Sequence, residues 1–252
     1  CRVAFERENL TLVPASGAPL AFDLGDIDVL VAADYELTLT LYTGKRLLLN
    51  QFGKVFQNLA HDLLEAYRAR LIQCLLLEDL EEVARFDGAA QLDSRASPVR
   101  SFSGPVELRL YRSNLAVLPT AATGFQWRLA DIDAVQLDET NYAIILDSAG
   151  ERLAVTKLAK RTREFVEHLQ DCIARLTEKS ATVLRNLFPF LDPDQFQQAA
   201  QLLKEGHDAP LAKLMAIDPR TEQALVENVV DTKLKPCFDA LVSHVPTGWP
   251  PS

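Results

Sequence analysis

The chain has 252 residues, 48% of them hydrophobic and 24% charged, which is enough for two or three compact units with cores of their own. Its net charge of −9 is spread along the length, with 7 Lys and Arg against 9 Asp and Glu in residues 1–71 and 9 against 10 in 106–176. That argues against a nucleic-acid-binding surface, which needs a basic face, and no apolar run approaches the ~20 residues of a membrane-spanning helix.

The first stretch alternates. Val3, Phe5, Leu10 and Leu12 stand between polar neighbours, and Pro14-Ala15-Ser16-Gly17 turns the chain. Short strands follow at 20–22 and 27–31. Tyr35, Leu37, Leu39 and Leu41 then alternate up to Thr43-Gly44, and 46–49 form a last strand. A period of two with Gly, Pro and Asn punctuation predicts antiparallel sheet with one buried face. The period then changes: Phe56, Leu59, Leu63, Tyr67 and Leu71 predict an amphipathic helix over about 53–78, with 75–82 as its continuation. Residues 83–88 read as a strand and turn, and the polar stretch 94–103 as the clearest loop.

From 106 the pattern starts again. Leu108, Leu110, Leu115 and Val117 alternate before Pro119, and Phe165, Leu169, Ile173 and Leu176 predict a closing helix over about 159–177. Beyond 177 the pattern is helical, with Asp192-Pro193 and Asp218-Pro219 as helix starts. The last residues, 246–252, read as an extended tail.

The two stretches overlay as a duplication. Asn9-Leu10 falls on Asn114-Leu115, and Pro14 on Pro119. Leu24-Gly25-Asp26-Ile27-Asp28 falls on Leu129-Ala130-Asp131-Ile132-Asp133. After one inserted residue, Gly44-Lys45-Arg46-Leu47 falls on Gly150-Glu151-Arg152-Leu153. The expected fold class is α+β: two bent antiparallel sheets, each closed by a helix, followed by an α-helical segment. The expected domains are 1–82, 83–177 with the linker loop 94–103, a helical segment 178–245, and the tail 246–252. The chain opens on Cys1 with strand already under way, so a strand equivalent to 83–92 is expected before it.

Strands, an L-x-D-I-D strand start, a strand ending in Gly-x-Arg-Leu and a closing helix with Phe/Leu spacing together resemble pleckstrin-homology-like (PH-like) domains. The bacterial and GRAM-type members are the most similar. The resemblance covers about 1–71 and 83–176. It implies a strongly bent sheet plugged at one corner by the helix, on a scaffold used for lipid, peptide and protein binding. Some members bind phosphoinositides through a basic motif in the first two strands. Here those strands read Arg2-Val3-Ala4-Phe5-Glu6-Arg7-Glu8 and Glu107-Leu108-Arg109-Leu110-Tyr111-Arg112 and depart from that motif.

Residues that carry chemistry elsewhere have plain structural readings here. The pairs Asp26/Asp28 and Asp131/Asp133 suit backbone N–H groups at strand starts, with Ile27 and Ile132 turned into the core. The competing reading, hard-cation ligation, lacks a glycine-bearing Ca²⁺ loop. His61, His168, His207 and His244 are dispersed without a second ligand at helical spacing, and no nucleophile, Walker or dinucleotide motif is present. No metal or cofactor is expected. Cys1, Cys74, Cys172 and Cys237 form no CxxC pair, and three of them lie in helical stretches, which predicts reduced core thiols in a cytosol-like compartment. The leucines at 75–77 are expected between domains rather than on a membrane.

One charge run stands out: Lys157, Lys160, Arg161 and Arg163, where the last strand of the second stretch enters its helix. Cations there oppose the helix macrodipole, while exposed backbone N–H groups favour an anion. A bound phosphate or carboxylate would relieve both; a solvated turn balanced by Glu164 and Glu167 is the competing reading. The first stretch has only Lys54 at the matching place. The expected function is a non-catalytic, cytoplasmic binding or interaction module whose partner is a protein. Peripheral binding to anionic phospholipid through the second stretch is the alternative, and an enzyme with an interdomain site the second.

Overall fold

The computed structural model describes residues 2–6, 9–14, 16–94, 101–203 and 211–229. The architecture is α+β: antiparallel sheets of three, three and seven strands, none closed into a barrel, with helices following the sheets. Strands β1 (Arg2–Glu6), β2 (Asn9–Val13) and β3 (Leu20–Asp23) form one sheet. Strands β4 (Ile27–Ala33), β5 (Glu36–Leu41) and β6 (Arg46–Leu49) form a second, and helix α1 (Phe56–Cys74) follows. The third sheet comprises β7 (Glu82–Ser94), β8 (Phe102–Tyr111), β9 (Asn114–Pro119), β10 (Phe125–Arg128), β11 (Ile132–Asp138), β12 (Ala143–Ser148) and β13 (Glu151–Thr156). Its spatial order is β10-β9-β8-β7-β13-β12-β11, and helix α2 (Thr162–Leu187) comes next. Helices α3 (Pro193–Leu202), α4 (Leu211–Ile217) and α5 (Arg220–Val229) complete the described chain.

Elements β1–β6 and α1 occur in the same order as β8–β13 and α2. A short 3-10 turn joins β3 to β4 and β10 to β11. The β4–β5 ladder slips register between Ile27 and Val29, and the β11–β12 ladder between Ile132 and Ala134. Asp28 and Asp133 are therefore bulge residues, which re-aim the strand just after its buried isoleucine. Gly44 and Gly150, in the turns after β5 and β12, both have φ +80°, a region an L side chain rarely adopts. The one-residue offset between the stretches is the net of two changes. The β4–β5 turn holds Asp34-Tyr35, whereas the β11–β12 turn holds 139–142; the following turn is one residue shorter in the second stretch.

The second stretch has one element for which the first shows no counterpart among the described residues. β7 pairs with β8 on one side and β13 on the other, welding seven strands into one sheet. β1–β3 and β4–β6 remain two separate sheets.

Helix boundaries differ from the periodicity. α1 stops at Cys74 instead of running on to 82, because Leu76 takes a left-handed φ of +56° and the carbonyls of Leu71, Ile72 and Gln73 are closed by the N–H groups of Leu75, Leu77 and Leu76. The residues at 75–77 divide: Leu77 is buried, Leu75 half-buried and Leu76 83% exposed. Residues 82–94 form one long strand rather than a strand and turn. α2 overruns 177 and reaches Leu187, since neither Gly nor Pro interrupts it before Pro189. Of the loop at 94–103, Ser94 belongs to β7 and residues 102–103 to β8; 95–100, like 230–252 with the tail, lie outside the described residues. Cys172 is buried as expected, but Cys74 is exposed at the end of α1; Cys1 and Cys237 lie outside the described residues.

The chain divides into two compact units, Cys1–Cys172 and Ile173–Ser252. In the first, α1 presents Phe56, Ala60, Leu63, Tyr67 and Leu71 at helical spacing to a core shared with Leu10, Leu30, Leu37 and Leu39. The same cluster takes in Tyr111, Ala116 and Leu118 from β8 and β9. Those strands are buried on both faces over 106–111 and 115–118. Full burial of each large apolar side chain contributes about 1.5–3 kcal/mol. Polar ties reinforce the junction. Gln126 Nε2 donates to the Leu75 carbonyl (2.7 Å), and the buried Glu107 carboxylate takes Arg109, Arg68 of α1 (3.1 Å) and Arg85 (3.8 Å). A carboxylate so far out of water requires such pairing.

In the second unit, Asp192 caps α3 through a reciprocal box with Gln195, and Pro193 occupies the first helical position. Asp218 accepts from the Arg220 backbone N–H (2.9 Å) and so starts α5, as its Asp-Pro pair predicts.

Candidate functional site

The chain leaves β13 through Lys157 (φ +60°), Leu158 and Ala159 (φ +52°) before α2 begins. The two left-handed residues drive the side chain between them inward, and Leu158 is 5% exposed. Gln51 (φ +66°), Phe52 and Gly53 (φ +55°) make the same bend before α1. A 3-10 turn over Ala159–Arg161 follows, and Thr162 Oγ1 donates to the Ala159 carbonyl at 2.9 Å.

The four predicted cations have different surroundings. Arg161 is engaged within its own unit. Its Nε and Nη2 donate to Glu164 (3.0 and 2.9 Å), its Nη1 donates to the Arg85 carbonyl (2.8 Å), and its guanidinium stacks on Phe86, 4.2 Å from the ring centroid. The bidentate pair holds the Glu164 carboxyl below its usual range. Arg161 is thus a positioning group of the turn. Lys157 is exposed on the bend.

Lys160 and Arg163 border a hollow of about 480 Å³, whose other walls are Leu137, Glu139, Tyr142, Ala159 and Thr162. No ion pair engages either cation among the described residues. The facing wall is the tip of the β11–β12 hairpin. Asp138 shapes that tip: its Oδ1 accepts the N–H groups of Thr140 (3.0 Å) and Asn141 (3.1 Å), and its Oδ2 accepts from Asn141 Nδ2 (2.7 Å). The Asn141 side chain first, then the backbone bonds, pull the Asp138 carboxyl below its ordinary value. Tyr142 then takes φ +49° and stands 67% exposed beside Leu137, itself 37% exposed. The hollow therefore combines two cations, one carboxylate and an apolar rim, a set suited to gripping an acidic group attached to a carbon skeleton.

The hairpin contribution was not readable from the local pattern, because Tyr142 and Leu137 are distant in sequence from Lys160; the Asp138-x-x-Asn141 turn is its one local signal. In the first stretch the matching tip carries Tyr35, φ +62° and 63% exposed, whose ring lies 5.4 Å from that of Phe56. Lys54 matches Lys160, while Val55 and Gln57 stand where the second stretch has Arg161 and Arg163, so the full cluster is confined to one copy.

The acidic pairs serve the fold. Ile27 and Ile132 are buried, at 1% and 8% exposure. Asp26 accepts the Asp23 N–H (3.2 Å), Asp131 takes Arg128 (2.9 Å), Asp133 accepts the Ala149 N–H (3.3 Å), and Asp28 accepts the Thr123 hydroxyl (2.6 Å). Among the described residues no group of three or more His, Cys, Asp or Glu is placed to hold a metal ion. No helix of the described residues is long and apolar enough to cross a membrane. No protein-family model matches the chain, and no curated protein sequence is similar to it.

Proposed function

We propose that the chain is a non-catalytic binding module, built as two PH-like repeats in tandem by internal duplication, whose second repeat grips an acidic group of a protein partner through Lys160 and Arg163. The carrying observation is the hollow that sets these two cations opposite Tyr142 and Leu137. The repeated order of strands, the register slip after Ile27 and Ile132, and the helix after each run support the tandem reading. Glu139 on the rim would repel a ligand that is negative on every side and favours one acidic group beside an apolar one.

The test uses two probes, a short peptide with one glutamate beside an amidated C-terminal leucine, and vesicles containing phosphatidylserine. Lys160→Glu with Arg163→Glu abolishes binding of the peptide, and Lys54→Glu leaves it intact. At a Debye length of about 8 Å the interaction weakens with salt. Retention of peptide binding by the double variant contradicts the proposal, and binding of vesicles alone replaces the protein partner with anionic lipid.

A further inference from the structure

The first stretch leaves a seam open where the second is closed by β7. In the second stretch, β7 lies antiparallel to both β8 and β13: Glu82–Asp87 faces β8 over Glu107–Tyr111, and Ala90–Asp93 faces β13 over Arg152–Val155. The corresponding strands β1 and β6 each pair on one side only among the described residues. Side-chain burial follows the same difference. Leu108, Leu110, Leu153 and Val155 are 0% exposed, whereas their counterparts Val3, Phe5, Leu47 and Leu49 are only half-buried. Leu158 is buried beneath β7, whereas Phe52 in the same bend is half-buried.

We infer that the edges of β1 and β6 form a seat for one further β-strand, which the described residues of this chain do not supply and which runs antiparallel to both edges. β7 defines the chemistry of the occupant. It sends Phe86, Ala90 and Leu92 inward at alternate positions, all of them buried. Opposite Val106 of β8, just before the β13 pairing begins at Ala89, stands Gly88, where a Cβ would come within 2.8 Å of both Leu158 Cδ2 and the Thr156 carbonyl. Phe52 holds the place of Leu158 in the first stretch, and glycine at the matching point of the occupant leaves room for it. β7 also sets Asp93 opposite Arg152; the exposed Arg46 of β6 is the counterpart of Arg152 and calls for a carboxylate there. The fitting partner is a polypeptide strand with alternating apolar residues, a central glycine and an acidic residue near its C-terminal end. Main-chain bonds along both edges hold it, and the apolar seam selects it.

Hydrogen exchange on the whole chain with synthetic peptides tests this. The probe is the sequence of β7, residues 82–94; the control peptide carries Phe86→Asp and Gly88→Val, changes that leave the protein untouched. Without peptide, amides of β1 and β6 exchange fast. The β7 peptide slows them at least about tenfold at saturation, and the control peptide does not. Three results would overturn the inference: slow exchange in both edges of the monomer without peptide, protection that appears only as the protein self-associates, or equal protection by the two peptides.

Discussion

The hydroxyl of Thr123, in the turn between β9 and β10, donates to the carboxylate of Asp28 at 2.6 Å, although the two residues lie 95 positions apart. The same Asp28 accepts the Tyr67 hydroxyl of α1 at its backbone carbonyl, 2.7 Å away. A bulge residue of the first stretch thereby ties its own closing helix to the second stretch. Each bond is part of the junction, and a net contribution of about 1 kcal/mol is ordinary for one. Thr123→Val and Tyr67→Phe should each lower unfolding stability by about that much in urea titrations. The Tyr67 phenol, pushed up chiefly by burial and then by Tyr42 and Asp28, ionises only at high pH. Its folded value exceeds its unfolded one, so its contribution is complete below the ordinary tyrosine range and lost as pH rises through the folded value. Tyr67→Phe should therefore reduce the loss of stability in strong alkali.

The bend before α2 carries alanine where the bend before α1 carries glycine. Ala159 at φ +52° bears backbone strain of about 1–2 kcal/mol that glycine escapes. Ala159→Gly should raise stability by about 1 kcal/mol after the added chain entropy of the unfolded state. Gly53→Ala should lower it by a similar amount, since nothing lies within 4 Å to clash with the new Cβ and conformation alone decides. Thermal or urea unfolding measures both.

The Arg161–Glu164 pair makes a pH prediction. Arg161 holds the Glu164 carboxyl below its usual value of 4.5. The folded value lies below the unfolded one, so the contribution is present above the unfolded value and lost as pH falls through the folded value. An NMR titration of the Glu164 side-chain carboxyl carbon should show the depressed midpoint, and Arg161→Ala should return it toward 4.5. An unchanged midpoint in Arg161→Ala would assign the depression to another group.

Close approach between the stretches can be tested at Gly124, where an added Cβ would fall 2.6 Å from Leu71 Cδ2 and 3.3 Å from Leu118 Cδ2. Gly124→Val should destabilise by about 1–3 kcal/mol through overpacking. Truncating the opposing side chain in the same variant, with Leu71→Ala, should recover part of that loss, a coupling that a double-mutant cycle reads directly.

Strand alternation placed Ile27 and Ile132 in the core because burial on one face of a sheet imposes a period of two. It could not show that Asp28 and Asp133 sit on bulges, since a register slip depends on the partner strand. α1 looked longer than it is because the leucines at 75–77 continue a helical stripe; Leu76 breaks it through a left-handed backbone that its side chain does not advertise. Within the charge run, the spacing of Arg161 and Glu164 marks a helical pair, but Phe86 and the Arg85 carbonyl, which fix Arg161 in place, come from a strand far upstream. The hollow depends on Tyr142 and Leu137 arriving from a hairpin, so the sequence pattern reached its cations and not its apolar rim.

The most direct test of the acidic-group reading is a ¹H–¹⁵N NMR titration of the whole chain with a short peptide carrying one glutamate beside an amidated C-terminal leucine, at low and high salt. Amides of Tyr142 and of 159–163 should shift in a saturable way at low salt, lose that response at high salt, and show none in Lys160→Glu with Arg163→Glu. Shifts centred elsewhere, or the same shifts in the double variant, would contradict it.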